Sequence, residues 1–508
     1  MATQHNPERP MELVWLKRDL RLRDHAPLLE AAARGPVLCL YVYEPELMAH
    51  ETTHAAHLAF IHASLGELDA ALRERGGGLV TRVGNLPEVF DRLHAERPIA
   101  RLWSHEETGL GITYERDKRV KRWTREQGIE WIELPNHGVF RPLADRDGWS
   151  ARWRRRMAEP VRPAPERIHG VLNLPSAGIR SPADLGVAGE LRPEAVAPGI
   201  DVAHGVLADF LAQRSRSYQG DISSPVTAWS GSSRLSPHLA WGNLSVREVY
   251  QATTGRIARL KAMPDRDAKD WAKSLGSFAK RLHWHCHFIQ KLEDQPDIEF
   301  RNLSRACDGL RDERPDAVLL DAWRFGQTGY PMVDACMRAL AAGGWINFRM
   351  RAMLMSFASY HLWQHWREPA LHLARLFLDF EPGIHLSQAQ MQSGTTGINA
   401  VRIYSPVKQV RDHDPEGVFI RRWCPELKLV PNAYLPRPET MPAHVQHAAG
   451  CVIGRDYPAP IVDNGKAWFR ARQRMGALRA RGEARSEARQ IHRRHGSRKR
   501  PDASRTAR

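Results

Sequence analysis

The residues best equipped for chemistry lie between Gly326 and Leu427. Arg349 and Arg351 stand among Phe348, Met350, Met353, Leu354 and Phe357, in a run that reads as a buried helix beginning near Trp345. An arginine among so many large apolar side chains needs a counter-ion or an anionic ligand. Asp379, Glu381 and His385 follow in a segment broken by Pro382 and Gly383, and could supply one. A guanidinium paired with carboxylates in such a place suits the holding of a ligand. A surface helix with an arginine face is the alternative, and pattern alone leaves the two even.

Further upstream, Tyr218 precedes SGSSRLSPHLAWGNLS. Ser232, Ser233 and Ser236 surround Arg234 ahead of Pro237 and a helical run. That reads as a helix start offering hydroxyls and main-chain N–H groups to a phosphate, or as an ordinary cap. Phe278–Leu292 sets Trp284 among His283, His285, His287 and Cys286. His283 and His287 share a helical face, but a second distant pair of strong ligands is missing. These read as core or cleft histidines, and no metal is expected. Sixteen tryptophans are present, most of them expected in the core because a large ring buries much area.

The elements that position these residues fall into two sets. Apolar runs at Glu12–Leu16, Pro36–Tyr43, Leu79–Val83, Arg101–Trp103 and Ile129–Leu134 alternate with helical patterns. Residues 11–135 are therefore expected to form a Rossmann-like, doubly wound parallel sheet. No GxGxxG follows the first strand, so a dinucleotide fingerprint is missing. Residues 136–200, rich in proline and arginine, read as a connector. From 201 to 478 strand signals nearly vanish and an all-α domain is expected. Residues 479–508 read as a basic, disordered tail.

The net charge is +16, and residues 479–508 carry eleven Lys/Arg against three acidic residues, leaving +8 on the folded body. A body basic in its own right points to a polyanionic partner. Six scattered cysteines without a CxxC pair argue against a disulfide framework and suit a reducing cytosol. The first ten residues lack an apolar core, so secretion is not expected, and no apolar run approaches membrane-spanning length.

VWLKRDLRLRDHAPL resembles the N-terminal signature of the DNA photolyase/cryptochrome family. SSRLSPHLAWGNLS, GQTGYPMVDACMRAL, RIYSPVKQ, DHDPEGVFIRRWCPEL and DYPAPIVD resemble signatures of its flavin domain, in the family's order over residues 11–478. The resemblance implies an α/β antenna domain, a helical domain holding a bent FAD, and blue-light repair of flipped pyrimidine dimers in UV-damaged DNA. Its rival implication is a cryptochrome-like photoreceptor with little repair activity. It further implies a cytoplasmic monomer and a second, antenna chromophore, a folate or a deazaflavin, with Glu106 and Glu107 at a strand end where a pterin could sit.

Position by position, the resemblance assigns Tyr218, Ser232, Ser233, Arg234, Leu235 and Ser236 to the FAD phosphates. Arg281, Asn347, Arg351, Asp379, Glu381 and His385 belong beside the flavin, with His385 at its N5. Trp284 packs on the lesion, and Arg349, Arg402 and Lys408 contact the DNA backbone. Trp366 matches the middle of an electron-transfer chain whose flavin-proximal member falls in LSQAQMQS, without a tryptophan. Trp323, Trp345 or Trp363 would have to offer another route. Arg281 stands where the family's dimer-binding glutamate is usual, and Phe348 where its asparagine is.

Overall fold

Two of the inner strands of the first domain are buried along their whole length because both faces of their sheet are covered. The computed structural model describes residues 9–171 and 173–496. Met11–Leu16 (β1), Val37–Tyr43 (β2), Leu79–Val83 (β3), Ile99–His105 (β4) and Glu130–Leu134 (β5) form one parallel sheet in the order β3-β2-β1-β4-β5. Alternate residues point to opposite faces. Val14, Leu16, Val37, Cys39 and Tyr41 enter the core that includes the helix Ala55–Arg73, while Leu13, Trp15, Leu38, Leu40 and Val42 pack with Phe90 and Trp123. The first of these cores also takes in Trp241 and Leu378, so it continues across the domain boundary.

Strand order reverses between β1 and β4, the place where open α/β sheets leave a crevice. Arg116 occupies that region, 2.9 Å from Glu44, 2.6 Å from Glu107 and 4.6 Å above the Trp15 ring. Residues 136–200 contribute to both domains. Val171 donates its N–H to Val37, and the helix Trp149–Ala158 buries Trp149 and Trp153 against His283.

The second domain is helical around Arg266–Asp294, whose first turn is capped by the Asp265 carboxylate. The helix Pro382–Ser393 crosses it closely. A Cβ on Gly383 would lie 2.6 Å from the Cα of Ile289, so only glycine permits the approach. Pro331–Gly343 ends on Gly344 in the left-handed region. Asp334 in its first turn accepts hydrogen bonds from Thr328, Gly329 and the Tyr457 hydroxyl. GQTGYPMVD and DYPAP are thereby two halves of one buried polar knot.

Two expectations are corrected. The single helix expected to begin near Trp345 is broken: Phe348–Ser356 passes into a π-turn at Phe357–His361, Trp363 adopts φ 57°, and a new helix runs Arg367–Leu376. Arg311 causes the break from outside, donating to the Ser359 carbonyl at 2.9 Å and stacking 4.6 Å over Trp363. The tail expected to be disordered forms a helix over Gly482–His495. Its polar composition hides a docking face, because Glu487, Ile491 and His495 repeat every fourth residue. Glu487 accepts from Ser304 Oγ and the main-chain N–H groups of Arg305 and Ala306, and His495 bonds Gln295 at 2.8 Å. Residues 497–508 of that tail lie outside the described residues. Among the described residues no helix is long and apolar enough to cross a membrane.

Candidate functional site

A cavity of about 510 Å³ opens between the helices of the second domain, within the usual size of a cofactor site. Arg351 projects into it from Phe348–Ser356 and is held in three ways. Its two terminal nitrogens donate to Asp379 at 2.9 Å each, its Nε donates to the Ile346 carbonyl at 2.8 Å, and it lies 4.1 Å above the Phe377 ring. The fork geometry fixes the guanidinium plane, which a lysine could not do.

Phe377, Asp379, Phe380 and Glu381 reach the cavity from a short strip folded into a turn, in which the Phe380 N–H donates to the Phe377 carbonyl at 3.0 Å. The strip's carbonyls are gripped from behind. His57 Nε2 donates to Phe377 at 3.0 Å, Trp241 Nε1 to Leu378 at 2.8 Å, Arg18 to Phe380, and Arg192 to Leu376. His57 and Arg18 belong to the first domain, so both domains shape the cavity floor. Sequence reasoning missed these four residues, since nothing local marks a side chain that reads a distant carbonyl.

Glu381 has one carboxylate oxygen 3.8 Å from Arg18 and the other buried without a hydrogen-bond partner. Burial pushes its carboxyl above the ordinary value against the pull of Arg18. His385, one helical turn along, donates from Nε2 to the Ala370 carbonyl at 2.7 Å. Burial lowers its imidazole to about 4, so it is neutral at pH 7. With Nε2 carrying the proton, Nδ1 is the acceptor.

Tyr218, Ser232, Ser233, Arg234, Leu235 and Ser236 line the far end. The expected helix start there is corrected in form: Ser236–Ala240 is only five residues, and Leu235 rather than a serine precedes it. What the segment offers is hydroxyls and a guanidinium. Ser232 Oγ and Arg234 Nε are buried without partners, Arg234 adopts φ 54°, and its guanidinium lies 5.1 Å over Trp229. Asn347 Oδ1 and Arg349 Nε are likewise buried without partners.

At the opening stand Trp284 and Phe348, 54% and 41% exposed, with Arg402. Arg281, one turn before Trp284, also lines the cavity. Every cofactor residue expected from the sequence therefore borders one cavity, together with Trp284, Arg349 and Arg402. Two expected residues lie elsewhere. Trp366 is fully buried, its indole N–H bonding Asn302 at 2.9 Å, and Lys408 is exposed, 3.1 Å from Asp412. His283 and His287 edge onto Trp149 in the core, and only His285 of that trio faces the cavity. Asp19, His25 and His105 are the cluster compact enough for a metal among the described residues. There His25 Nδ1 accepts the Leu28 N–H, which leaves Nε2 protonated toward Asp19 and no lone pair for an ion.

Ser232 Oγ, Asn347 Oδ1, Glu381 Oε1 and the Nε atoms of Arg234 and Arg349, buried without hydrogen-bond partners around a slot walled by Phe377, Phe380 and Met355, fit a flat, ring-bearing, anionic group. The comparisons agree with that chemistry. Residues 12–147 match the DNA photolyase family model and residues 278–477 match the FAD binding domain of DNA photolyase. A deoxyribodipyrimidine photo-lyase of Agrobacterium fabrum is 29% identical over 490 residues, covering 92% of this chain and 98% of that protein. Cryptochrome-1 of Aedes aegypti is 26% identical, covering 89% and 90%. A bacterial class III photolyase from Agrobacterium tumefaciens superposes with a TM-score of 0.82 at 26% identity, covering 95% of this chain and all of that one. With its α/β domain gripping the floor of a helical FAD-binding domain, and both halves matched in order, the chain belongs to the DNA photolyase/cryptochrome family.

Proposed function

We propose that the chain is a flavin-dependent, light-driven DNA photolyase acting on UV-induced pyrimidine dimers. The observation that carries this reading is the placement of Trp284 and Phe348 at the mouth of the cavity that Arg351, Asp379 and His385 close at depth. FAD, when bound, supplies light absorption and one-electron chemistry. The remaining work falls to the protein. Ser232 Oγ and Arg234 Nε, otherwise left unpaired, hold the diphosphate together with Ser233. Arg351, fixed by Asp379, presents positive charge to the ring system, and neutral His385 offers Nδ1 as an acceptor for a ring N–H.

At the mouth, Trp284 and Phe348 offer flat apolar faces for a base taken out of the stack, worth ~1–3 kcal/mol per stacked base. Arg281, Arg349 and Arg402 supply cations for phosphates or carbonyl acceptors. Arg281 has no protein partner among the described residues, so its guanidinium is free for a ligand. The +16 charge favours encounter with DNA. A second, antenna chromophore in the first domain belongs to this reading, with its identity and seat open to the absorption spectrum.

Purified, FAD-loaded and reduced protein should repair an irradiated oligonucleotide in blue light and not in darkness. Failure on both cyclobutane and (6-4) lesions removes the enzymatic reading. The docked helix Gly482–His495 favours a second one, a photoreceptor, because it bears on Asp294 and Gln295 at the end of the helix that carries Arg281 and Trp284. Light-dependent protease sensitivity of that helix without repair would select it.

A further inference from the structure

Behind the cavity floor, at the seam between the domains, lies a second hollow of about 40 Å³. One water needs ~10–15 Å³ of such space, so the hollow has room for about three. Its walls are ionisable. Lys17, Arg18 and Asp19 come from the end of β1, His105 and Glu106 from the end of β4, and His137 from the segment beyond β5. His285 and Glu381 line both this chamber and the large cavity.

Two enclosed atoms mark the chamber as a place for water. Glu381 Oε1 has no hydrogen-bond partner, and neither has Lys17 Nζ, whose nearest carboxylate is 3.8 Å away. Orphaned polar atoms of this kind are commonly met by ordered water. The rings of His137 and His285 lie 6.3 Å apart, both line the hollow, and His285 also lines the cavity. Burial lowers His285 to about 4 and His105 to about 3 and depresses His137, leaving each neutral at pH 7 and able to accept a proton at one nitrogen while releasing one at the other. Burial raises the carboxyls of Glu381 and Glu106, with Arg18 and Arg141 opposing but not reversing the effect.

We propose that Glu381 exchanges protons between the flavin cavity and solvent through this chamber, with His285 and His137 as relays and Glu106 as the outward carboxyl. Each step is acid–base only. An O–H or N–H bond breaks at the donor as one forms at the next acceptor, and no electron moves. The inference rests on the flavin reading, because Glu381 and His285 line the large cavity as well as this hollow.

The experiment is hydrogen–deuterium exchange of the Glu381 carboxyl in FAD-loaded protein, followed by infrared spectroscopy of its C=O stretch and assigned by loss of that band in E381Q. Glu106→Gln and, separately, His137→Phe should slow the exchange at least tenfold with flavin absorbance unchanged. Equal rates in wild type and both variants overturn the proposal, as does the absence of any protonated carboxyl band that E381Q removes. Protein that takes up no FAD overturns the flavin reading and this inference with it, and visible absorbance registers that before exchange begins.

Discussion

The guanidinium of Arg18 bonds the main-chain carbonyl of Phe380, so a residue at the end of the first strand steadies the strip that bears Asp379 and Glu381. Arg18 also donates to Ala240 at 3.0 Å and lies 4.5 Å over Trp241. Hydrogen bonds from a charged group are worth ~1.5–3 kcal/mol each when partly buried. Arg18→Ala should therefore lower stability by about 2–4 kcal/mol and loosen FAD, with Arg18→Lys recovering part of both. Urea unfolding and flavin content after gel filtration check this, and an unaltered midpoint with full flavin would show the contact to be ornamental.

Asp379→Ala leaves Arg351 without its carboxylate in a largely enclosed place, the Asp379 side chain being 3% exposed. Breaking one side of such a pair costs ~3–5 kcal/mol. The expected result is a protein that is less stable, flavin-poor, or both, read by thermal unfolding and visible absorbance. Asp379→Asn keeps an acceptor for one N–H and should fall between.

Acidification should destabilise the fold before the carboxylates titrate. His285, His361 and His385 are lowered to about 4, and His57, His105 and His372 to about 3, by burial. Below pH 6.5 the unfolded chain binds protons that the folded chain refuses, so stability rises with pH in this window and falls as pH drops toward 4. Each such histidine contributes a slope of up to ~1.4 kcal/mol per pH unit. Urea titrations from pH 7.5 to 4.5 should show a slope of several protons, and a flat profile would contradict the buried, neutral assignment.

Arg349→Ala and Arg402→Ala should weaken DNA binding about equally across sequences, each reducing the salt slope by about one. Lys408→Ala should change it less, because Lys408 stands apart from the cavity and faces Asp412. Fluorescence anisotropy at several salt concentrations separates the three.

Glu487→Ala removes the acceptor for three donors at Ser304–Ala306. The last helix should detach and become sensitive to limited proteolysis, with the protein otherwise folded by circular dichroism.

Much of this was legible in the residues. Continuous apolar runs alternating with helical patterns made β1 and β2 readable as strands of a parallel sheet covered on both faces. Arg351 amid methionines and phenylalanines called for a counter-ion, but pattern alone left a surface arginine face equally open, and the family resemblance singled out Asp379. What escaped was of two kinds. The break at Phe357–His361 depends on Arg311, 48 residues from Ser359, and no local pattern encodes that. The last helix looked solvated because its docking face is one apolar residue with a carboxylate and an imidazole, too sparse to register as amphipathic.

The grip on residues 376–380 bears on how this chain could be re-engineered. Four carbonyls in that strip are read by His57, Arg18, Arg192 and Trp241, spread across the α/β domain, the connector and the helical domain. A chimera that joined this helical half to a relative's α/β half would have to carry matching partners at 18 and 57, or its pocket would sag. The two halves of this chain are a fitted pair, and exchanging its α/β half means grafting the seam along with the sheet.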